Sequence, residues 1–551
     1  MPPRPTFTLV DQTVRMPALM LLYLLSALAV VLMARPAVAQ PAAPRFAVLE
    51  YAVEGNTVLP VRAIERAVLP FLGPDRGLEG VEQARAALEQ AYQTAGYLSV
   101  VVDIPEQRVD AGVVRLRVIE GRVERLAVTG ARYHDQGMIR RRVPELAPGT
   151  VPDFNRVQQQ LAAVSRDERR LQPVLRPGAV PGSLQAEIQV DDRLPLTASV
   201  ELNNQHAADT DPWRLNASLR YANLWQRDHA LALTAITAPR EPSQSQVLVA
   251  QYSAPLAGEW SALAYAVWSD SVVEPIGASV IGEGFTLGLR AQRSAALGGG
   301  THTVSLGLDF KDLKERLEFG DDSLSTPLRY LPLQLGWTGQ WAEGRSQTSL
   351  NLSWTTAFRG ILQRDVMCPG DVGAVDQFAC KRQGGDGSFT HLRADWRHQR
   401  PAAFGWPGQW ALRVQGQLGS QPLVSAEQFA VGGAETVRGY FEAEASGDRG
   451  LQGGLEWRGP NLLTPQQGPG LAWQALSVLA FYDVARVWLL QPAVGQLARQ
   501  SLYGAGLGLR LRATRGSTAL TGEADLAWPG KRTPATPDHD PRLHLRLRAQ
   551  F

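Results

Sequence analysis

The 551-residue sequence predicts two small α+β modules followed by a membrane-spanning antiparallel β-barrel of sixteen strands. Three observations lead there. The N-terminus carries the three-part pattern of a secretory signal. A strand-helix-helix-strand-strand order occurs twice between residues 46 and 195. From residue 196 to 551 the chain alternates apolar and polar residues in short segments separated by turn residues.

The signal comes first in the chain. Arg4 and Arg15 precede an apolar run from Ala18 to Met33, and Ala37-Val38-Ala39 then offers small residues before Gln40. Residues 1–39 are therefore expected to be removed on export, leaving a short segment, 40–45, before the first module. A retained anchor is the competing reading. Against it, the run is shorter than the roughly 20 residues that span a bilayer, and a cleavage site follows. The formal charge is +2; without residues 1–39 the chain has 52 basic and 52 acidic residues. With no net charge and no basic block, a nucleic-acid partner is not expected. The only cysteines, Cys368 and Cys380, lie in "CPGDVGAVDQFAC". In an exported chain this favours a loop-closing disulfide. A metal site is the weaker alternative, because two further suitable ligands are not nearby.

The first module, 46–123, opens with the alternating stretch "FAVLEYAVEGNTVLP", which ends in a Gly-Asn turn. Helical spacing follows in "VRAIERAVLPFLG" and "GVEQARAALEQAYQTAGY", and then two strands, "LSVVVDIPEQRV" and "GVVRLRVIEGRV". The second module, 124–195, repeats the order. "VERLAVTGARY" is its first strand, "MIRRRVPELAPG" and "FNRVQQQLAAVSRD" its helices, and "LQPVLRPGAVPGS" and "LQAEIQVDDRLP" its closing strands.

Residues 196–551 read as the barrel. In "RLNASLRYANLW", Leu215, Ala217, Leu219 and Tyr221 fall on one side, and Arg214, Asn216, Ser218 and Arg220 on the other. A soluble sandwich would alternate too. Here the polar face is rich in Arg and Gln, which suits a water-filled lumen. Closing the sheet gives every backbone group a partner in lipid. Strands are expected to begin near 197, 213, 229, 243, 260, 285, 302, 329, 346, 388, 409, 448, 475, 501, 518 and 542. The last ends at Phe551, with Leu543, Leu545, Leu547 and Ala549 on its apolar face.

One loop stands out. "GGAETVRGYFEAE" lies between the strands near 409 and 448 and holds Val437, Arg438, Gly439 and Tyr440. Together with the tandem modules and the barrel, this string resembles the outer-membrane transporters of two-partner secretion, the haemolysin secretion/activation family. The modules look like its polypeptide-transport-associated (POTRA) domains. In that family the loop folds into the barrel, and its arginine pairs with an aspartate in a Phe-x-Asp-x-Gly stretch of strand thirteen. The matching stretch here is "FYDVA", with Phe481 and Asp483, and with Ala485 where the family has glycine. A lumenal carboxylate can hold a guanidinium in bidentate geometry, so Arg438 is expected to pair with Asp483. Reversing both charges should then partly restore what either single reversal loses. A solvated loop arginine is the alternative. Gly504, Gly506 and Gly508 on the next strand read as a smooth lumenal patch where another chain segment approaches.

The eight histidines are scattered, and no catalytic or phosphate-binding motif is present. No enzyme activity, cofactor or metal is expected. The resemblance implies a Gram-negative outer-membrane location with the modules in the periplasm. It further implies a secreted partner exoprotein passed through the barrel without ATP. Such a partner would be a large adhesin, a cytolysin or a toxin of β-helical fold. Other partners implied are outer-membrane lipid and the barrel-assembly machinery, which would read the C-terminal Phe551. The protein is expected to be a monomer. An assembly factor that inserts other barrels is the alternative within the same superfamily, and a passive porin is a third. The second strand of each module, about 99–110 and 171–183, should be a sheet edge open to strand addition. Relatives often carry an N-terminal plug helix; the few residues between Gln40 and Phe46 leave no room for one.

Overall fold

A computed structural model describes residues 45–551 apart from 110, 272–273, 277–278, 320–321, 363, 369–372, 403–406, 467 and 469. The expected signal segment, 1–39, lies outside the described residues.

In the first module β1 (Phe46–Val48) pairs with β3 (Gly73–Arg76), and β2 (Glu50–Glu54), β5 (Val113–Glu120) and β4 (Val100–Asp103) form a sheet in that order. The stretch read as one opening strand thus breaks at Leu49. The backbone N–H groups of Leu49 and Glu50 both turn to the Gly112 carbonyl there. The first helix stops at Val68 because Pro70 cannot continue it, and a 3-10 turn, Leu69–Phe71, follows. The helix Leu78–Thr94 buries Val81, Ala84, Leu88 and Tyr92, a stripe at three- and four-residue spacing. This stripe covers the inner face of the sheet, against Val100, Val102, Val114, Leu116 and Val118.

The second module has β6 (Arg122–Thr129), β8 (Ser183–Asp192) and β7 (Arg169–Pro177), again in that order. In both sheets the first strand runs parallel to the last. The repeat extends to single atoms. Gly55 follows β2 with φ +90°, and a Cβ there would lie 2.4 Å from the Val118 carbonyl oxygen. Gly130 follows β6 with φ +80° and stands equally close to the Val190 carbonyl. Each glycine lets the chain cross the end of its own sheet, where a side chain would collide with backbone. Asp153 caps the helix Phe154–Val164 through the N–H groups of Asn155 and Arg156.

The barrel is built from β9 (Leu196–Asn203), β10 (Arg214–Leu224), β11 (His229–Thr237), β12 (Ser245–Pro255) and β13 (Trp260–Ser271). A loop hairpin, β14 (Glu274–Ile276) and β15 (Ser279–Ile281), precedes β16 (Glu283–Leu297), β17 (Gly300–Phe319) and β18 (Asp322–Tyr330). Then come β19 (Leu333–Glu343), β20 (Ser346–Thr356), the hairpin β21 (Asp365–Met367) and β22 (Ala374–Asp376), β23 (Thr390–Pro401) and β24 (Gln409–Gly419). Another loop hairpin, β25 (Phe429–Val431) and β26 (Ala445–Gly447), leads to β27 (Arg449–Arg458), β28 (Leu471–Trp488), β29 (Arg499–Arg515), β30 (Thr518–Pro529) and β31 (Arg542–Gln550).

Sixteen of these strands close the ring. β18 is not a stave: it pairs with the outer half of β17, Lys311–Phe319, while residues 300–308 of β17 pair with β19. The strand expected near 329 is therefore β19, beginning at Leu333, and the apparent earlier start is the return arm of a projecting hairpin. Apolar side chains on the outer face stay exposed, as at Leu219, Leu248, Leu287 and Leu289, whereas the inward charges Arg290, Asp309, Glu456 and Asp525 are buried in a polar lumen. That pattern suits a barrel with lipid outside and water or packed polar groups inside. The chain enters at one rim with β9. The short turns, such as 298–299 and 344–345, lie at that rim, and the long loops 357–389 and 420–448 lie at the opposite one.

The ring closes between β31 and β9 over Arg546–Gln550 and Ser199–Asn203, continued by Phe551 with Ala198, whereas β28 and β29 run together from Leu471 to Trp488. A side chain lengthens this seam. Asn204 donates from Nδ2 to the Leu543 carbonyl at 2.7 Å and accepts from the Leu545 N–H at 2.7 Å. Its amide thereby does the work of one more strand residue. Asn204→Ala should leave two backbone groups unpaired, a cost of about 1–3 kcal/mol. The temperature at which the folded barrel loses its fast migration on a gel is expected to fall by a few degrees.

Candidate functional site

Loop 420–448 starts from the rim opposite the entry rim and turns into the lumen. Two glycines permit the turn: Gly432 and Gly433 have φ +111° and +103°, and a Cβ on Gly433 would collide with the Glu442 carboxylate. Arg438 lies at the loop's deepest point and is 5% exposed.

The structure brings Arg438 onto Asp483. Nε donates to Oδ2 at 2.7 Å and Nη2 donates to Oδ1 at 3.1 Å, a bidentate pair. The Arg438 backbone N–H also points to Oδ2, at 3.3 Å. The guanidinium carbon stands 3.4 Å from the centroid of the Phe481 ring. Two further carboxylates share Nη1: Glu456 at 3.0 Å and Asp525 at 3.2 Å. Each has its own arginine as well, Arg458 for Glu456 and Arg510 for Asp525. Three carboxylates thus face three guanidiniums, so the buried cluster balances its charge.

The rest of the motif fixes the backbone on either side. Val437 and Tyr440 are fully buried in a cluster with Phe429, Val431, Ala445, Ala485, Val487 and Leu502. Gly439, with φ +100°, passes close to Pro529 and donates its N–H to His544 Nε2 at 3.0 Å. The Tyr440 hydroxyl accepts from the Lys531 N–H at 3.1 Å and lies 2.9 Å from the Lys531 carbonyl. The Ala485 methyl packs within this apolar cluster, so the close approach is not made at that position.

It is made one strand over. A Cβ at Gly504 would lie 2.2 Å from the Arg438 carbonyl oxygen. The other two glycines of the patch serve neighbours on the wall: Gly506 makes room for the Phe481 ring, and Gly508 for the Asp525 carboxylate. Glu456, Asp525, Arg510 and His544 were not singled out from the sequence as partners of the loop. Cross-strand register aligns them, through Glu456 opposite Phe481, Phe481 opposite Gly506, and Asp525 opposite Gly508 and His544. The inward parity of each is readable from its strand; the stagger that puts them at one height is not.

The remaining expected residues lie elsewhere. Cys368 and Cys380 are joined by a disulfide in loop 357–389. Its short helix Gln377–Lys381 sets Phe378 against Leu423 and Val424 of the lock-bearing loop. Phe551 exchanges both backbone hydrogen bonds with Ala198, and its side chain is exposed. On the entry-rim side of the Arg438–Asp483 pair the lumen holds a cavity of about 550 Å³, lined by Arg397, Arg413, Arg512 and Arg546 and by Glu435 and Glu523.

Asp483→Asn takes the bidentate partner from Arg438 and leaves it only Glu456 and Asp525, each shared with another arginine. It should therefore loosen the loop, read as new protease cleavage within 432–444 on intact membranes. Glu456→Gln and Asp525→Asn should matter less, because Asp483 still holds Arg438 in both. Exchanging Arg438 and Asp483 should restore less than a lone pair would allow, since an aspartate at 438 faces Glu456 and Asp525. In a separate test, Gly504→Ala should undock the loop by steric collision with no change of charge, giving the same cleavage pattern while the barrel stays folded.

The family model described as haemolysin secretion/activation protein ShlB/FhaC/HecB matches residues 182–511, and the POTRA domain, ShlB-type, matches residues 46–121. The outer membrane transporter CdiB of Dickeya dadantii (strain 3937) is 23% identical over 500 residues, 88% of this chain and 83% of that protein. The solved structure of CdiB from Escherichia coli superposes with a TM-score of 0.60 at 20% identity, covering 94% of this chain and 92% of that one. BamA from Haemophilus ducreyi lacking POTRA domains 1–3 superposes with a TM-score of 0.53 at 13% identity, covering 92% and 100%. The chain belongs to the haemolysin secretion/activation protein family, the transporters of two-partner secretion, with its barrel in the outer membrane and its POTRA region in the periplasm.

Proposed function

We propose that this transporter captures one unfolded exoprotein in the periplasm through its POTRA modules and passes it through the barrel lumen to the outside. The observation that carries this reading is the combination of two α+β modules before the barrel with a barrel loop docked into the lumen. A passive pore has no use for either. The partner is a large adhesin, cytolysin or toxin whose β-helical fold forms outside. That folding supplies direction, because the periplasm provides no ATP. The arginine-lined cavity on the entry side gives an extended chain a polar wall to slide along. Arg438, with Asp483, fixes the loop that the passing chain must accommodate or displace, while the disulfide holds the neighbouring outer loop in shape.

During its own biogenesis the chain is a client of the barrel-assembly machinery, through its last strand ending at Phe551. It works in outer-membrane lipid as a monomer. It acts as a transporter and not as an enzyme.

Deleting the gene and comparing the proteins of the medium and of the outer membrane tests the proposal. Loss of one large exoprotein from the medium, with the membrane unchanged, is the expected result. A joint fall of many outer-membrane barrels would instead make the chain an assembly factor, a role the BamA-like fold could also serve.

A further inference from the structure

Both modules end their sheets on the strand that was expected to accept a partner by strand addition, β4 in the first and β7 in the second. The two edges are not equivalent.

On β4 the peptide group of Val102 faces away from β5. It is already taken. Arg85 Nη1 donates to the Val102 carbonyl at 3.2 Å, and the Val102 N–H points to Glu89 Oε2 at 3.4 Å. Arg85 and Glu89 stand one turn apart on the helix Leu78–Thr94 and are themselves paired at 2.6 Å. The fork thus mimics an added strand at this peptide. The edge of β5 beyond the end of β4 is closed in the same way. The Gln107 side-chain amide accepts from the Arg115 N–H at 2.7 Å and donates to the Arg115 carbonyl at 2.8 Å. Charged side chains set against an edge are a device that blocks pairing with another chain.

On β7 the parity of the outward groups follows from the turn before it. Arg169 exchanges both its N–H and its carbonyl with Arg166, at 3.0 and 2.8 Å, so its peptide faces away from β8. By alternation Leu171, Pro173 and Leu175 face outward as well. Pro173 lacks an N–H, and an outward position is where an edge strand tolerates that. Among the described residues no side chain caps the outward peptide groups from Leu171 to Leu175. Gln172, Pro173, Leu175 and Arg176 are all exposed. Charge separates the modules too. Residues 124–195 hold eleven arginines against nine acidic residues, while residues 46–123 hold eight against eleven.

We propose that the capturing edge is β7 of the second module and that the first module's edge is sealed. The occupant is an extended segment of the secreted partner bearing acidic side chains, which would meet Arg170 beside the edge and compete with Glu187 for the exposed Arg176. An apolar side chain of that segment would cover Leu175. This rests on the export reading above.

The test uses the full-length chain in the outer membrane and the exoprotein whose appearance in the medium depends on it. Leu175→Pro removes an outward N–H that no side chain caps; Val102→Pro removes one that Glu89 already holds, together with a buried valine side chain. With heat-modifiable barrel folding and the protease resistance of both modules intact, Leu175→Pro should cut the exported protein at least about fivefold, and Val102→Pro should leave it unchanged. A benzophenone side chain introduced at Leu175 should crosslink to that exoprotein. One at Val101 should do so only after Arg85→Ala and Glu89→Ala have opened the β4 edge. Export that falls with Val102→Pro but not with Leu175→Pro, or a crosslink at Val101 in the otherwise unaltered chain, would overturn the assignment. If both proline variants export normally while gene deletion abolishes export, the edge assignment fails and the export reading stands. If deletion leaves the medium unchanged, the export reading itself fails.

Discussion

Docking of loop 420–448 rests on one buried guanidinium. Arg438 is almost wholly buried, so its charge must be met mainly by protein groups in the lumen, and Asp483 meets it in bidentate geometry. That single requirement constrains a large area around it. Phe481 must lie flat beneath the guanidinium, which needs Gly506 behind the ring. The loop backbone must come within contact of the wall, which needs Gly504. The extra carboxylates that hold Nη1 would repel one another without Arg458 and Arg510. Four consecutive strands, β27 to β30, contribute to the site of one side chain of a loop.

The same loop is tied at its two ends. Glu427, near its start, is buried with Lys311, Tyr330 and His391 around its carboxylate. Asp448, at its end, accepts from the backbone N–H groups of Leu423 and Leu490. Arg382 of the disulfide-bearing loop reaches Asp448 from the other side. Glu427 and Asp448 therefore tie loop 420–448 to β17, β18 and β23 and to Arg382 and Leu490 of neighbouring loops. Displacing the loop at Arg438 would disturb those ties as well as the lock, because buried polar groups that lose a partner are costly.

The periplasmic modules follow a different logic. Their repeat reproduces the glycine that clears the end of each sheet, so the fold of one predicts the fold of the other. The helix of the first module adds what the second lacks: an Arg–Glu fork aimed at an edge peptide. Two copies of one fold thus present different surfaces, and a division of labour between them needs no difference in topology.

Much of this was present in the sequence by itself. Period-two alternation identifies the barrel, and it located the staves to within a few residues, because in a barrel each strand must show one face to lipid and one to the lumen. The family resemblance pointed from Arg438 to Asp483, and parity put Phe481 and Asp483 on one face of their strand. The tertiary structure decided what depends on stagger and on loop path. Register brought Glu456, Asp525 and His544 to the height of Arg438, and a two-residue slip would have placed other side chains there. The projecting β17–β18 hairpin, the Asn204 side chain in the seam and the sealed β4 edge were likewise invisible. Each is a contact between groups distant in the chain, set by where strands end in space and not by any local preference of the residues that make it.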